Sequence, residues 1–203
     1  MNQAHQLTAE EIKSIQTSFI NKVYVWMGLA LTITGIVAMR VADSGTFMGM
    51  FTGAATGLFI LYSALNGVTL SVLFYVYTSA SIASTFFITA GTFGVCSAYG
   101  YFTKKDLTSI GGFLIMALIG LIIATVVNIF LASSALYWVI SYAGVAIFIG
   151  LTAYDTQKIK KMSLEVEADS EQGKKGAVMG ALALYLDFIN MFIFLLRIFG
   201  NRR

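Results

Sequence analysis

The sequence predicts an all-α membrane protein that crosses the bilayer several times. Hydrophobic residues make up 58% of the 203 residues, charged residues make up 11%, and the mean hydropathy is +0.80. A soluble domain carries about 25% charged residues, so this composition indicates a polytopic membrane protein. The net charge is only +3. The basic residues lie in short clusters between apolar runs, which is typical of topology signals and not of nucleic-acid binding.

Six apolar segments are long enough to cross a bilayer at about 20 residues per helix. Residues 1–21 are mixed and polar, and we predict a short N-terminal flank there, followed by a single transmembrane bundle over 22–203. The predicted spans are about 22–42, 50–72, 80–102, 107–131, 135–155 and 176–199.

Four of these spans come from two long charge-free runs. No charged residue occurs between Asp43 and Lys104, or between Asp106 and Asp155. Each run has room for two crossings and a tight connection, and the second run is divided near residues 132–134. The polar segment 156–175 has five lysines and four acidic residues, and it is predicted to be a solvated loop before the last span.

The distribution of basic residues predicts which side faces the cytoplasm. If six spans alternate strictly, eight of the 13 lysines and arginines lie in the loops after the first, third and fifth spans. That side is then cytoplasmic, and both chain termini lie on the opposite side. An N-terminus on that side is unexpected here, because the polar N-terminal segment has no signal peptide. One more span between Asp43 and Phe51 would bring the N-terminal lysines to the cytoplasmic side.

Small residues are predicted to let the helices approach closely. The sequence contains 19 glycines and no proline. Small side chains at helix interfaces allow backbones to pack tightly in lipid. Without proline, helix breaks must come from Gly, Ser or Thr, or from helices that end.

The last span carries Asp187 near its centre. A carboxylate at that depth costs roughly 2.5 to 3.5 kcal/mol, so it is expected to have a function and a partner inside the bundle. Asp155 is the natural partner, because adjacent spans are antiparallel and both acids start near the same leaflet. If the last helix begins at Gly176, Asp187 lies about 17 Å deeper than Asp155, and less if the loop dips inward.

Two carboxylates that meet in a low-dielectric site cannot both ionise cheaply. Asp155 and Asp187 are therefore expected to share one proton at mildly acidic or neutral pH and to lose it as the pH rises. The pair is a candidate pH sensor and gate, because a shared proton joins the two helices and full ionisation separates them or attracts a cation. It also suits a weak Ca²⁺ site completed by carbonyls and water. Asn190, three residues after Asp187, is a candidate supporting residue. No catalytic residue and no tightly bound cofactor are predicted.

Five segments carry a resemblance to a known family. They are LYSALNGVTLS (61–71), SIASTFFITAGTFG (81–94), KKDLTSIGGFL (104–114), GLTAYDTQKIK (150–160) and ALALYLDFINMFIFLLRIFG (181–200). The chain resembles the Bax inhibitor family, the transmembrane BAX-inhibitor-motif proteins, and in particular its bacterial members. This resemblance implies a seven-helix bundle with the final helix in the centre, placed in a bacterial inner membrane. It also implies a pH-sensitive calcium leak controlled by an aspartate pair that corresponds to Asp155 and Asp187.

The chain departs from the family pattern at one point. Family members have a further span between the first helix and the helix that ends in the LYSALNG stretch, and nothing here fills that place. In the family a basic residue of that span is thought to hold the aspartate pair. Either the protein lacks this second span or the sequence omits it, and no basic partner is assigned.

Two other functions compete with a calcium channel. The first is a regulatory membrane protein that binds membrane proteases or other membrane partners without ion conduction, with the aspartates only holding the bundle together. The second is an intramembrane aspartyl protease, suggested by Tyr154-Asp155. The Gly-x-Gly-Asp motif of such proteases is absent, since residues 184–186 before Asp187 read Leu-Tyr-Leu. The sequence therefore predicts no enzyme, and its expected partners are the lipid bilayer, calcium ions and protons.

Overall fold

The structure, a computed structural model, describes residues 8–43, 54–165 and 170–203. These residues form six long helices and one short helix, and no strand is present among them. The helices are α1 (Ala9–Asp43), α2 (Ala54–Leu70), α3 (Leu73–Val76), α4 (Ser79–Phe102), α5 (Thr108–Leu131), α6 (Ser134–Glu165) and α7 (Glu171–Phe199).

Within the described part of the chain, five helical segments are long and apolar enough to cross a membrane. They are Gly57–Val76, Ser79–Phe102, Thr108–Leu131, Ser134–Glu165 and Gln172–Phe199. The first of them joins α2 and α3, while α1, which contains the first predicted span, is not among the five. The predicted fold class, an all-α polytopic membrane bundle, is confirmed.

The last helix occupies the centre of the bundle, as predicted. α7 packs against α1, α2, α4 and α6. In its apolar stretch 67% of the residues are buried, against 11% in α5, which lies at the periphery. A helix that is apolar on all sides is stable only when other helices or lipid surround it, and α7 is surrounded mainly by helices.

The prediction of a solvated loop over 156–175 is wrong for most of that segment. α6 continues to Glu165 and α7 begins at Glu171. Lysine and glutamate are good helix formers, so their charge does not end a helix that has a face to bury. Ile159 and Ser163 supply that buried face. The predicted break near 132–134 is confirmed, because α5 ends at Leu131 and α6 begins at Ser134.

The first helix runs from the lysine-rich end of the bundle toward the opposite end. Phe19 lies beside Gly176 at the start of α7, and Thr34 bonds to Tyr185 half-way along α7. α1 is therefore parallel to α7, and its N-terminal part lies at the same end as the lysine-rich segment 156–175. The strict alternation of six spans, which places them at opposite ends, is wrong.

The α2–α3 segment also runs parallel to α7. The ring of Phe59 contacts the ring of Tyr185, and Tyr77 lies beside Gly200 past the end of α7. Two consecutive crossings in one direction need a return crossing between them. Residues 44–53, which separate α1 from α2 and lie outside the described residues, are too few for a helical crossing of about 20 residues.

Polar contacts fix the α4–α5 connection to α6. The Gln157 side chain accepts a hydrogen bond from the Leu107 N–H at 2.9 Å and donates one to the Lys105 carbonyl oxygen at 2.8 Å. The Lys161 ammonium pairs with the Asp106 carboxylate at 2.7 Å. These contacts hold the lysine-rich end of α6 against the neighbouring turn.

A glycine allows α4 and α6 to approach each other closely. A Cβ atom added to Gly100 would collide with the backbone of Ala153, whereas one added to Gly91 in the same helix would meet nothing within 4 Å. Replacing each glycine with alanine therefore distinguishes two effects. Both substitutions change helix propensity, but only the one at Gly100 also changes helix packing.

We expect Gly100→Ala to destabilise the bundle by about 1–3 kcal/mol, because α4 and α6 must move apart to accommodate a methyl group. Gly91→Ala is the matched control and should be as stable as the wild type or more so, since alanine favours a helix. Thermal unfolding followed by circular dichroism in detergent measures both. A melting temperature for Gly100→Ala at or above that of Gly91→Ala would contradict this packing.

The carboxyl group of Asp106 offers a second test. Hydrogen bonds from the Lys161 ammonium and from Thr108 lower its pKa from the ordinary 3.8 to about 2. The ion pair is therefore complete above pH 3.8 and is lost as the pH falls through about 2. We expect Lys161→Met to raise the pKa of Asp106 toward its ordinary value. Carbon-13 NMR of carboxyl-labelled aspartate in micelles measures this, with Asp106→Asn to assign the signal, and an unchanged midpoint would exclude the pair.

Candidate functional site

The contacts between α6 and α7 fix the relative depth of the two predicted aspartates. Gly180 lies beside Ile159, and Gly144 lies beside Phe194, as antiparallel neighbours require. Interpolation between these contacts places Asp187 level with a position about one helical turn from Asp155, or roughly 5 Å along the axis.

The 17 Å offset derived from the sequence is therefore wrong. It assumed that Asp155 ends its helix at the membrane surface and that the last helix begins at Gly176. α6 instead extends to Glu165 and α7 begins at Glu171. Asp155 thus lies within the bundle, close to the depth of Asp187.

Asp155 and Asp187 line the same cavity, which has a volume of about 500 Å³ and lies between α5, α6 and α7. Their carboxyl groups are near enough to interact with each other. Lys158 and Asn190 also line this cavity, and apolar side chains form most of the remaining wall. The structure thus brings together every residue that the sequence singled out for the site.

Asp187 is the deeply buried member of the pair, with 4% of its surface exposed. Its Oδ2 atom has no hydrogen-bond partner among the described residues. A buried carboxylate oxygen without a donor is costly, so it needs a proton, a water molecule or a cation. Asp155 is only half-buried. The two acids therefore have different access to water.

Lys158 is a site residue that sequence reasoning missed. Its ammonium charge acts on Asp155, and it lines the shared cavity. Residues three apart share a helix face, so the spacing from Asp155 was a usable signal. The signal was lost because residue 158 was assigned to a loop.

Asn190 lies one turn after Asp187 on the cavity wall. Its amide nitrogen donates to the carbonyl oxygen of Leu186 at 2.8 Å, within α7. This bond holds the Asn190 side chain along its own helix instead of directing that donor to either carboxyl group.

Asp155 and Asp187 are the only acidic side chains in the described part of the chain that line the cavity. Among the described residues, no three His, Cys, Asp or Glu side chains are grouped so that they could hold a metal ion. A calcium ion prefers 6 to 8 oxygen ligands, so carbonyl groups and water would have to complete its shell here.

A buried hydrogen-bond network lies two residues from Asp187 and was not predicted. The Thr34 hydroxyl donates to the Ser63 carbonyl oxygen at 2.9 Å, so the Tyr185 hydroxyl is the donor in its 2.7 Å bond to Thr34. This network joins α7 to α1 and α2. Because residues two apart on a helix point in nearly opposite directions, it fixes the rotation of α7 that directs Asp187 toward α5 and α6.

Comparison with known proteins gives the family. The sequence model of the family described as "Inhibitor of apoptosis-promoting Bax1" matches residues 16–203. The inner membrane protein YbhL of Escherichia coli strain K12 is 47% identical over 216 aligned residues, which cover 92% of this chain and 92% of YbhL. Protein RP147 of Rickettsia prowazekii is 43% identical over 213 residues, with 91% of this chain and 90% of that protein covered.

The alignment with YbhL also bears on the missing span. The alignment is longer than this chain of 203 residues. Only 92% of the chain, or about 187 residues, takes part in it. Roughly 29 aligned positions of YbhL therefore have no counterpart here, which is the length of one transmembrane helix and its connection. A difference of this size agrees with the parallel direction of α1 and α2. The chain is a multi-pass inner membrane protein, and it belongs to the Bax inhibitor family.

Proposed function

We propose that the chain is a pH-sensitive calcium leak channel gated by the Asp155 and Asp187 pair. The observation that supports this proposal is their shared cavity, in which a buried Asp187 oxygen has no hydrogen-bond donor. If the carboxyl pair only stabilised the bundle, its oxygens would be expected to accept hydrogen bonds from neighbouring donors.

The pair binds one proton in the closed state. A proton held between two carboxyl groups removes the repulsion between them and supplies the donor that Asp187 lacks. Loss of that proton leaves two negative charges on facing helices in a largely apolar cavity. The charges then either move α6 and α7 apart or bind a cation.

Calcium is the cation that this chemistry favours. Carboxylates are hard oxygen ligands, and two of them give a charge of −2 that matches a divalent ion. Because no third acidic side chain of the described residues lines the cavity, binding is weak and the ion can leave, which conduction requires. Lys158 in the same cavity supplies a counter-charge for the ionised pair when no cation is present.

We expect calcium flux into liposomes that contain the wild-type protein to rise with pH, as the pair loses its proton. In Asp187→Asn the second charge cannot form, so flux should stay low and change little with pH. The difference should be about tenfold for each pH unit over which the wild type titrates. A calcium indicator inside the liposomes measures flux at a series of pH values.

The matched control is Asp106→Asn, an exposed aspartate paired with Lys161 outside the cavity, which should keep the wild-type profile. If Asp187→Asn folds normally and keeps both the flux and its pH dependence, the aspartate gate is excluded. If the wild-type protein itself gives no flux above empty liposomes, the competing function holds, a regulatory membrane protein without ion conduction.

A further inference from the structure

A polar cavity of about 530 Å³ lies at the end of the bundle opposite the lysine-rich segment. The α5–α6 connection forms one wall, and the end of α7 with the C-terminal tail forms the other. Two arginines line it, Arg197 in the last turn of α7 and Arg202 in the tail. It shares no residue with the cavity that holds the two aspartates.

Both guanidinium groups pack on one aromatic ring. The Cζ atoms of Arg197 and Arg202 lie 5.8 Å and 6.0 Å from the centre of the Tyr137 ring, and Arg202 donates to the Tyr137 hydroxyl at 3.1 Å. No carboxylate among the described residues pairs with either arginine. Both positive charges therefore lie near the Tyr137 ring, with aromatic and hydroxyl groups and not carboxylates as their neighbours among the described residues.

The tail that carries Arg202 is held in place by backbone pairing. The Asn201 carbonyl oxygen accepts from the Thr78 N–H at 3.1 Å, and the Arg203 N–H donates to the Val76 carbonyl oxygen at 3.0 Å. The Asn201 N–H also donates to the Ser81 hydroxyl at 2.9 Å. Arg202 is therefore positioned by the fold and does not sit on a loose terminus.

The opposite wall adds further hydrogen-bond donors. The Asn128 side-chain oxygen accepts from the Ser133 N–H at 3.1 Å, so the amide that lines the cavity has its NH₂ group left to donate. The N-terminus of α6 begins at Ser134, and its backbone N–H groups add partial positive charge there. The cavity therefore offers cationic and neutral donors and suits an anion with several oxygens.

We propose that this cavity binds the phosphodiester headgroup of an anionic phospholipid. Two arginines present paired N–H donors that match the oxygens of a phosphodiester group. Trp138, which lines the cavity, stacks on Tyr142, as aromatic residues do at the membrane interface. The exposed Phe130 and Leu131 at the end of α5 provide an apolar surface for the acyl chains.

Native mass spectrometry of the full chain in detergent tests this assignment. Wild-type protein should retain phosphatidylglycerol in preference to zwitterionic phosphatidylcholine, and the Arg197→Met, Arg202→Met double variant should retain it about thirtyfold less, since each of the two basic residues adds roughly 1 kcal/mol. Arg203→Met is the matched control, because it removes a neighbouring charge that does not line the cavity. Equal retention by the double variant and the wild type would overturn the proposal.

Two further measurements keep the proposal testable if the double variant folds poorly. Excess inorganic phosphate should leave phosphatidylglycerol bound, and displacement by phosphate would show that the cavity takes a free anion instead of a lipid. In a Trp26→Phe background, brominated phosphatidylglycerol should quench Trp138 fluorescence more than brominated phosphatidylcholine at the same mole fraction. Equal quenching by the two lipids would also overturn the assignment.

Discussion

The rotational position of α7 in the centre of the bundle controls what Asp187 can contact. On one side, the Tyr185 hydroxyl bonds to Thr34, which bonds in turn to Ser63, so α7 is tied to α1 and α2. On the other side, Asp187 faces a cavity shared with Asp155. If α7 turned by a third of a rotation, Tyr185 would lose its bond and Asp187 would leave the cavity. The aspartate site therefore depends on a hydrogen-bond network that contains no charge.

The sequence was sufficient to predict the fold class, and it led to the hypothesis that Asp155 and Asp187 form a pair, which stays a prediction. Both inferences rest on apolar runs and on the cost of a charge in lipid. These features can be recognised in short stretches of the sequence. The relative depth of the two acids was not predictable in the same way, because hydropathy does not show that α6 and α7 extend past the bilayer. Tyr185 and Thr34 are 151 residues apart, and such a contact has no local signature. Gln157 was missed because it lies among lysines in a segment that composition alone assigns to solvent.

The parallel course of α1 and α2 follows from contacts that each segment makes with α7 at two separate levels. In a bundle whose spans alternate in direction, consecutive helices are antiparallel. α1 and α2 can therefore both be parallel to α7 only if a crossing between them is absent. The additional residues of YbhL inside its alignment with this chain are as many as one crossing requires. In the proposed gate, the closed aspartate pair would then be stabilised without a basic residue from that helix. Lys158, on the same helix as Asp155, is the basic side chain that the cavity provides.

The two ends of α7 constrain how the aspartate pair can separate. At the C-terminal end, the tail pairs with residues 76–78, and Arg197 packs on the Tyr137 ring. Any movement that separates Asp187 from Asp155 must break these contacts or pivot about them. A pivot about the anchored end displaces the lysine-rich end of α7 most, where α7 begins after residues 166–169. At that end α6 is held to the α4–α5 connection by Gln157 and Lys161, so the smaller disruption is a tilt of α7 away from a fixed α6.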